Sequence, residues 1–341
     1  MEIIFVLVAL LITLPITTLA FYKKENLPGI ILCLALAFLA WQLARFLPIV
    51  GGPILGILVG LIITNIRKDH GMFSKGIKIS SKRILQTAIV LFGFQMNLTT
   101  VIDMSRNSIL IILTVIAAAL LTAYFLGRAL GITKNEKTLI GIGTAICGGS
   151  AIAAAAPVIG ADDKDVVRAI STIFLFNVVA AFIFPILGRV IGMSDTMFGM
   201  WAGAAINDTS SVVAAGFAYS DSAGDTATIV KLTRTIMIIP AVLIIALVQP
   251  KKTGANVLQS FPWFVLAFFI ASIINTVNLI PSNITDFWAT VGRFLIVAAM
   301  VSIGFGCNFK ELIKGGKRPI LLGFGCSLVV GSVALLLINI L

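Results

Sequence analysis

The sequence predicts an all-α, polytopic membrane protein of about 10–12 transmembrane helices with inverted repeats and broken helices. Three observations lead there. The chain of 341 residues is 59% hydrophobic and 11% charged, with a mean hydropathy of +1.10, whereas a soluble domain carries about twice that charge. Apolar runs of roughly 20 residues, each long enough to cross the hydrocarbon layer, recur from end to end. Two of these runs break midway into small and polar residues: Gly141 to Ala154, and Gly199 to Gly216.

Taken in order, the runs place spans near 1–21, 28–47, 50–66, 81–98, 107–130, 138–158, 167–188, 196–220, 224–249, 259–278, 286–307 and 319–341. The first, Met1 to Phe21, has no basic leader and no small-residue cleavage site, so it reads as a retained helix. Basic residues collect in alternate loops: Lys23 and Lys24; Arg67 through Arg83; Lys134 and Lys137; Lys251 and Lys252; and Lys310 through Arg318. The intervening loops are poor in Lys and Arg, and Asp162-Asp163-Lys164-Asp165 is net acidic. This alternation assigns the basic loops to the cytoplasm and the N-terminus outside. It also accounts for the net charge of +11 without nucleic acid as a partner. Cys33, Cys147, Cys307 and Cys326 lie in or beside apolar segments without metal-ligand spacing and read as packing residues.

An internal repeat is present. Gly93-Phe94-Gln95-Met96-Asn97 matches Gly304-Phe305-Gly306-Cys307-Asn308, and the same ungapped offset lays Ile62-Ile63 on Ile273-Ile274. The chain then reads as one integral membrane domain, 1–341, with repeat units near 53–130 and 264–341 and a broken-helix core near 138–220. An odd number of spans separates the two units, so they point in opposite directions, as in many secondary transporters. If each broken segment crosses the membrane once, however, the two run parallel, whereas symmetry-related broken helices should be antiparallel. Either one break is re-entrant, the span count is off, or the two are not mates.

Candidate functional residues cluster at the breaks. Asp208 sits about twelve residues from either end of its span, roughly 18 Å, too deep for an Asp side chain to reach water. With Asn207, Thr209, Ser210 and Ser211 it offers an oxygen-rich shell for Na⁺, or a carboxylate that carries a proton. It is equally placed to cap the second half-helix, and the two roles are compatible. In the first break Thr144, Cys147, Gly148, Gly149 and Ser150 combine small residues with a Ser that would cap a half-helix, whose free amides favour an anion. The alternative is close helix packing through small residues. Lys231 and Arg234 share one helix face and are candidates to hold an anion or to snorkel to the interface. Gln95, Asn97 and Asn308 read as helix-terminating caps, and Asn177 as an interhelical hydrogen bonder.

Enzymatic readings are disfavoured. No G-x-x-x-x-G-K-[ST] occurs. The single histidine, His70, lies in a basic loop, away from any intramembrane serine. Asp208 has no second carboxylate at its depth for an aspartyl dyad.

The blocks Gly143-Thr-Ala-Ile-Cys147-Gly148-Gly149-Ser150-Ala-Ile-Ala-Ala154 with Pro157, Gly199-x-Trp201-x-Gly203-x-x-x-Asn207-Asp208-Thr209, and Lys231-x-x-Arg234 resemble the YeiH family of bacterial inner-membrane proteins, classed as sulfate exporters. The resemblance covers essentially the whole chain. It implies a distant likeness to the bile-acid/sodium symporter and cation/proton antiporter superfamily, with crossed broken helices moving against a panel or dimerisation domain. From the residues and this resemblance together, the expected function is ion-coupled transport of a small anion such as sulfate, a sulfonate or an organic anion. No cofactor is expected beyond Na⁺ or H⁺ as coupling ion. The expected partners are a small anionic solute, the lipid bilayer and a second copy of the chain. A passive anion channel and a non-transporting sensor remain the alternatives.

Overall fold

The computed structural model describes residues 24–46, 51–66, 71–238, 240–241, 263–306 and 316–340, in which all regular structure is helical. The expected first span 1–21, the loop 67–70 with His70, and Lys251, Lys252, Cys307, Asn308, Lys310 and Lys314 lie outside the described residues. Five described helices are long and apolar enough to span a membrane. The chain divides into two compact units.

The first unit takes in the described residues up to Val101 and 263–306. It holds α1 (Leu27–Ala44), α2 (Gly52–Ile66), α3 (Ser74–Ile79) and α4 (Leu85–Gly93), the last two joined by a π-helical turn at Ser80–Ile84. The start of α5 (Leu98–Ala129), α12 (Trp263–Thr276) and α13 (Ser282–Phe305) complete it. At its centre is α13, 78% of whose apolar window is buried, against 28–33% for the other long helices. Glycine makes that enclosure possible. A Cβ on Gly60 would run into the Val301 carbonyl, and one on Gly304 into the Ile57 carbonyl, so α2 and α13 pack backbone to backbone. The same contact recurs between α4 and α12, where a Cβ on Gly93 would lie 2.5 Å from the Phe268 carbonyl and 2.8 Å from the Ala271 Cβ. The turn after α4 closes as the sequence expects. Asn97 accepts from the Thr99 amide at 2.9 Å and so caps α5, helped by Thr276 of α12, whose hydroxyl accepts from the Leu98 amide at 2.8 Å.

The second unit holds the remainder of α5, then α6 (Lys134–Ala145), α7 (Gly149–Ile159), α8 (Asp163–Val190), α9 (Asp195–Ala205), α10 (Thr209–Tyr219), α11 (Asp221–Ile236) and α14 (Lys317–Ile340). The single-crossing reading of the two breaks is corrected here, because both segments double back. Glycines 199 and 203 of α9 meet Ala223, Thr226, Ala227 and Val230 of α11 in parallel order, whereas Ser220 alone turns α10 into α11. The foot of α9 is stacked on the end of α10, the Phe198 and Tyr219 rings lying 4.0 Å apart. In α6–α7, Gly143 faces Ile152 across the pair, and Thr133 ahead of α6 donates to Asp165 just beyond α7 at 3.3 Å. Each break is therefore the tip of a helical hairpin.

Between them α8 runs about 42 Å at 1.5 Å per residue, from the base of the first hairpin to the base of the second. The hairpins thus enter from opposite sides, antiparallel, and the parallel-direction conflict disappears. A consequence is that the Lys134–Lys137 loop and the Asp162–Asp165 loop lie side by side at one end. The expected alternation of basic and acidic loops does not hold at that point.

Candidate functional site

The two tips are three residues each: Ile146-Cys147-Gly148 between α6 and α7, and Ile206-Asn207-Asp208 between α9 and α10. A helix entering a bilayer can stop there only if its freed backbone groups find partners within the protein. Here the partners come from α11. Lys231 donates to the carbonyls of Ile146 (2.7 Å), Ile206 (3.1 Å) and Asn207. Arg234 donates to Ala145 (2.8 Å), Ala204 (2.6 Å), Ile206 (3.2 Å) and Thr144. Both side chains are 0% exposed, so neither snorkels to an interface. They clamp the C-terminal ends of α6 and α9, where aligned peptide dipoles place partial negative charge.

The N-terminal ends of α7 and α10 meet on the other side of the tips. Asp208 caps α10: its Oδ2 accepts from the Ser210 amide at 2.9 Å and from the Ser210 hydroxyl, while Asn177 of α8 accepts from the Asp208 amide at 3.2 Å. The capping role expected of Asp208, and the interhelical bond expected of Asn177, are both present. The α7 end is built differently. Its cap is Gly148, at φ 70° and ψ −128°, without any side-chain hydrogen bond. Ser150 is therefore not the cap that the sequence suggests: the chain turns two residues earlier, in a conformation open to glycine alone. Ser150 is exposed, and a Cβ on Gly149 would meet nothing within 4 Å, so the first turn of α7 borders open space. A Cβ on Gly148 would lie 3.5 Å from both the Asp208 Cβ and the Asn177 amide nitrogen, which puts the α7 end beside the carboxylate.

Cys147, Thr209, Ser210 and Ser211 are buried around these tips. Two buried oxygens, Thr144 Oγ1 and Asn207 Oδ1, one on each hairpin, have no hydrogen-bond partner among the described residues. The structure thus brings the two tips, Lys231 and Arg234 together, with Gly148 beside Asp208, while Ser150 is exposed. One residue the sequence reading passed over also contributes: Arg189 at the end of α8 donates to the Ala218 carbonyl at 2.7 Å and so holds the C-terminal end of α10. Its signal was a basic residue in the last turn of an apolar span. A buried carboxylate, Glu136, lies at the base of the first hairpin 3.9 Å from Arg168.

The family model described as conserved hypothetical protein 698 matches residues 28–323. The chain is 42% identical to the UPF0324 membrane protein of Fusobacterium nucleatum, over 93% of this chain and 99% of that one. It is 44% identical to the UPF0324 membrane protein of Streptococcus agalactiae serotype V, over 92% and 96%, and 42% identical to that of Streptococcus mutans, with the same coverage. With a family model covering most of its length and full-length relatives all named as membrane proteins, this chain belongs to the conserved hypothetical protein 698 family of multi-pass membrane proteins.

Proposed function

We propose that the protein is an ion-coupled secondary transporter that moves a small anion, sulfate or a sulfonate, by alternating access. The observation that carries this reading is the meeting of two hairpin tips from opposite sides, with cations at the two helix C-termini and one carboxylate at the two N-termini. Opposed broken elements of this kind build solute and ion sites in secondary transporters.

The chemistry follows from the asymmetry of the N-terminal ends. At α10 the helix end is satisfied by the charge of Asp208. At α7 no side chain caps the helix and open space lies beside Gly149, so the amides of Gly149 and Ser150 would suit an oxyanion. Such an anion would sit roughly 5 Å from the Asp208 carboxylate, and repulsion at an effective dielectric near 20 would oppose it by about 3 kcal/mol. Protonating Asp208, or placing Na⁺ on it, lifts that repulsion, so cation and anion bind together and travel together. For Na⁺ the donors would be Asp208, Asn207 Oδ1 and Thr144 Oγ1, the latter two being buried oxygens without partners among the described residues. Lys231 and Arg234 act indirectly, by fixing the tips and balancing their dipoles.

The test is uptake of radiolabelled sulfate and methanesulfonate into proteoliposomes under an imposed Na⁺ or pH gradient. Saturable uptake that follows one gradient is expected, with coupling lost in Asp208→Asn. Flux indifferent to both gradients would leave only a passive pathway and overturn the reading.

A further inference from the structure

The first unit contains two helix pairs with equivalent contacts 211 residues apart, α2 on α13 and α12 on α4. They close differently. In the first pair Gly52, Gly56 and Gly60 lay α2 along α13 for its whole length. A Cβ on Gly52 would lie 3.1 Å from Val297, and one on Gly56 would lie 2.9 Å from the Val297 carbonyl and 3.3 Å from the Val301 amide. In the second pair the corresponding residues of α12 are Trp263, Ala267 and Ala271. Ala271, together with Phe268, lies against the partner helix at Gly93. Toward the start of α12, Trp263 and Ala267 stand where α2 has glycine, and Trp263 is exposed.

Beside the start of α12 is a groove of about 190 Å³ lined by Arg83, Gln86, Thr87, Val90 and Phe264. Arg83, Gln86, Thr87 and Val90 follow at i, i+3, i+4 and i+7 on one helical face, spanning about 10 Å. Polarity falls steadily along that line, from a guanidinium through a primary amide and a hydroxyl to valine and phenylalanine. The Thr87 hydroxyl donates to the Arg83 carbonyl at 3.0 Å, and the half-buried Gln86 lines the groove beside it. Lys78 and Lys82 are exposed close to the charged end. In the other helix pair the same positions are Phe294, Val297, Ala298 and Val301, all buried, so this groove belongs to one repeat alone.

We propose that this groove binds one anionic phospholipid, its phosphodiester on Arg83, an ester carbonyl on Gln86 and an acyl chain along Val90 and Phe264. A graded slot of this kind matches a lipid lying along a membrane helix, and the basic residues at its mouth match an anionic headgroup.

The test uses the delipidated, full-length protein in detergent, titrated with dioleoyl phosphatidylglycerol or dioleoyl phosphatidylcholine and read by native mass spectrometry. One bound phosphatidylglycerol per chain is expected, favoured over phosphatidylcholine by about fivefold, the contribution of one basic residue at a lipid surface. Arg83→Gln should bring the two lipids to parity, and Val90→Trp should reduce retention of both. Undiminished preference in Arg83→Gln overturns the proposal. So does displacement of the lipid by millimolar glycerol 1-phosphate, which would mark a site for a free phosphate. Loss of a dimer in Val90→Trp with lipid retention unchanged would mark the groove as a contact between copies, and equally overturns it.

Discussion

Gly148 and Asp208, the last residues of the two hairpin tips, face each other with 3.5 Å between the Asp208 Cβ and the place a Gly148 Cβ would occupy. The contact depends on a backbone conformation at Gly148, φ 70° and ψ −128°, that side-chain-bearing residues adopt only under strain. Gly148→Ala is therefore expected to cost about 1–3 kcal/mol of stability. Its neighbour provides the control: Gly149→Ala, in open space within a helix, should be neutral or stabilising by up to about 1 kcal/mol. Thermal unfolding of the two purified variants separates them.

Asp208 acts both as a cap and as a charge, and the two roles can be separated by substitution. Asparagine caps a helix about as well as aspartate, so Asp208→Asn should fold with near wild-type stability while losing any coupling of flux to a cation gradient. Asp208→Ala loses the cap as well and should be less stable than Asp208→Asn by about 1 kcal/mol. Melting midpoints and gradient-driven uptake, measured on the same preparations, give the two effects independently.

The candidate site was legible in the sequence because membranes penalise what it contains. An Asp, an Asn and paired glycines inside apolar runs have few structural explanations, and the Lys231-Arg234 pair stood out for the same reason. Hydropathy, however, cannot distinguish a helix that crosses from two half-length helices that return. Both kinds are apolar for some 25 residues, as the 134–159 and 195–219 segments are. The hairpins became visible only through contacts such as Phe198 with Tyr219. The roles of individual glycines were hidden for a related reason: Gly52 and Trp263 occupy equivalent positions in the two repeats, and only packing shows that Gly52 lies against Val297 while Trp263 is exposed.

Gly60 tests that packing directly. A methyl there would run into the Val301 carbonyl, on helix backbone that cannot step aside. Gly60→Ala is expected to destabilise the first unit by about 1–3 kcal/mol, the usual cost of overfilling a tight contact. Ala271, the equivalent residue in α12, already carries that methyl, so Ala271→Gly should have a far smaller effect. Hydrogen exchange over α2 and α13 would locate the damage.

The base of the first hairpin supplies a pH dependence. Burial raises the Glu136 carboxyl above its ordinary value of 4.5, with Arg168 lowering it and Asp165 raising it. A carboxyl whose folded value lies above its unfolded one binds more protons in the native state. Its contribution to stability is therefore complete below about pH 4.5 and is lost as pH rises through the folded value. Glu136→Gln should flatten that decline in a series of melting midpoints from acid to neutral pH. A slope identical to wild type would place the titrating group elsewhere.

The clamp itself is the most demanding test of the architecture. Lys231 and Arg234 together bond six carbonyls in the tips and the helix ends that lead into them, those of Thr144, Ala145, Ile146, Ala204, Ile206 and Asn207. Hydrogen bonds from a charged donor contribute about 1.5–3 kcal/mol each, and a buried carbonyl left unbonded costs about as much again as an ordinary bond supplies. Lys231→Met keeps the bulk but removes the donors, so it should lower stability by roughly 3 kcal/mol or more. If the Lys231 charge also balances Asp208 across the tips, the two losses will not add. The Lys231→Met, Asp208→Asn double variant should then be more stable than the sum of the single changes, by about 0.5–3 kcal/mol. Strict additivity in that cycle would mean that the clamp holds the tips through hydrogen bonds alone, with the acid and the base electrostatically independent.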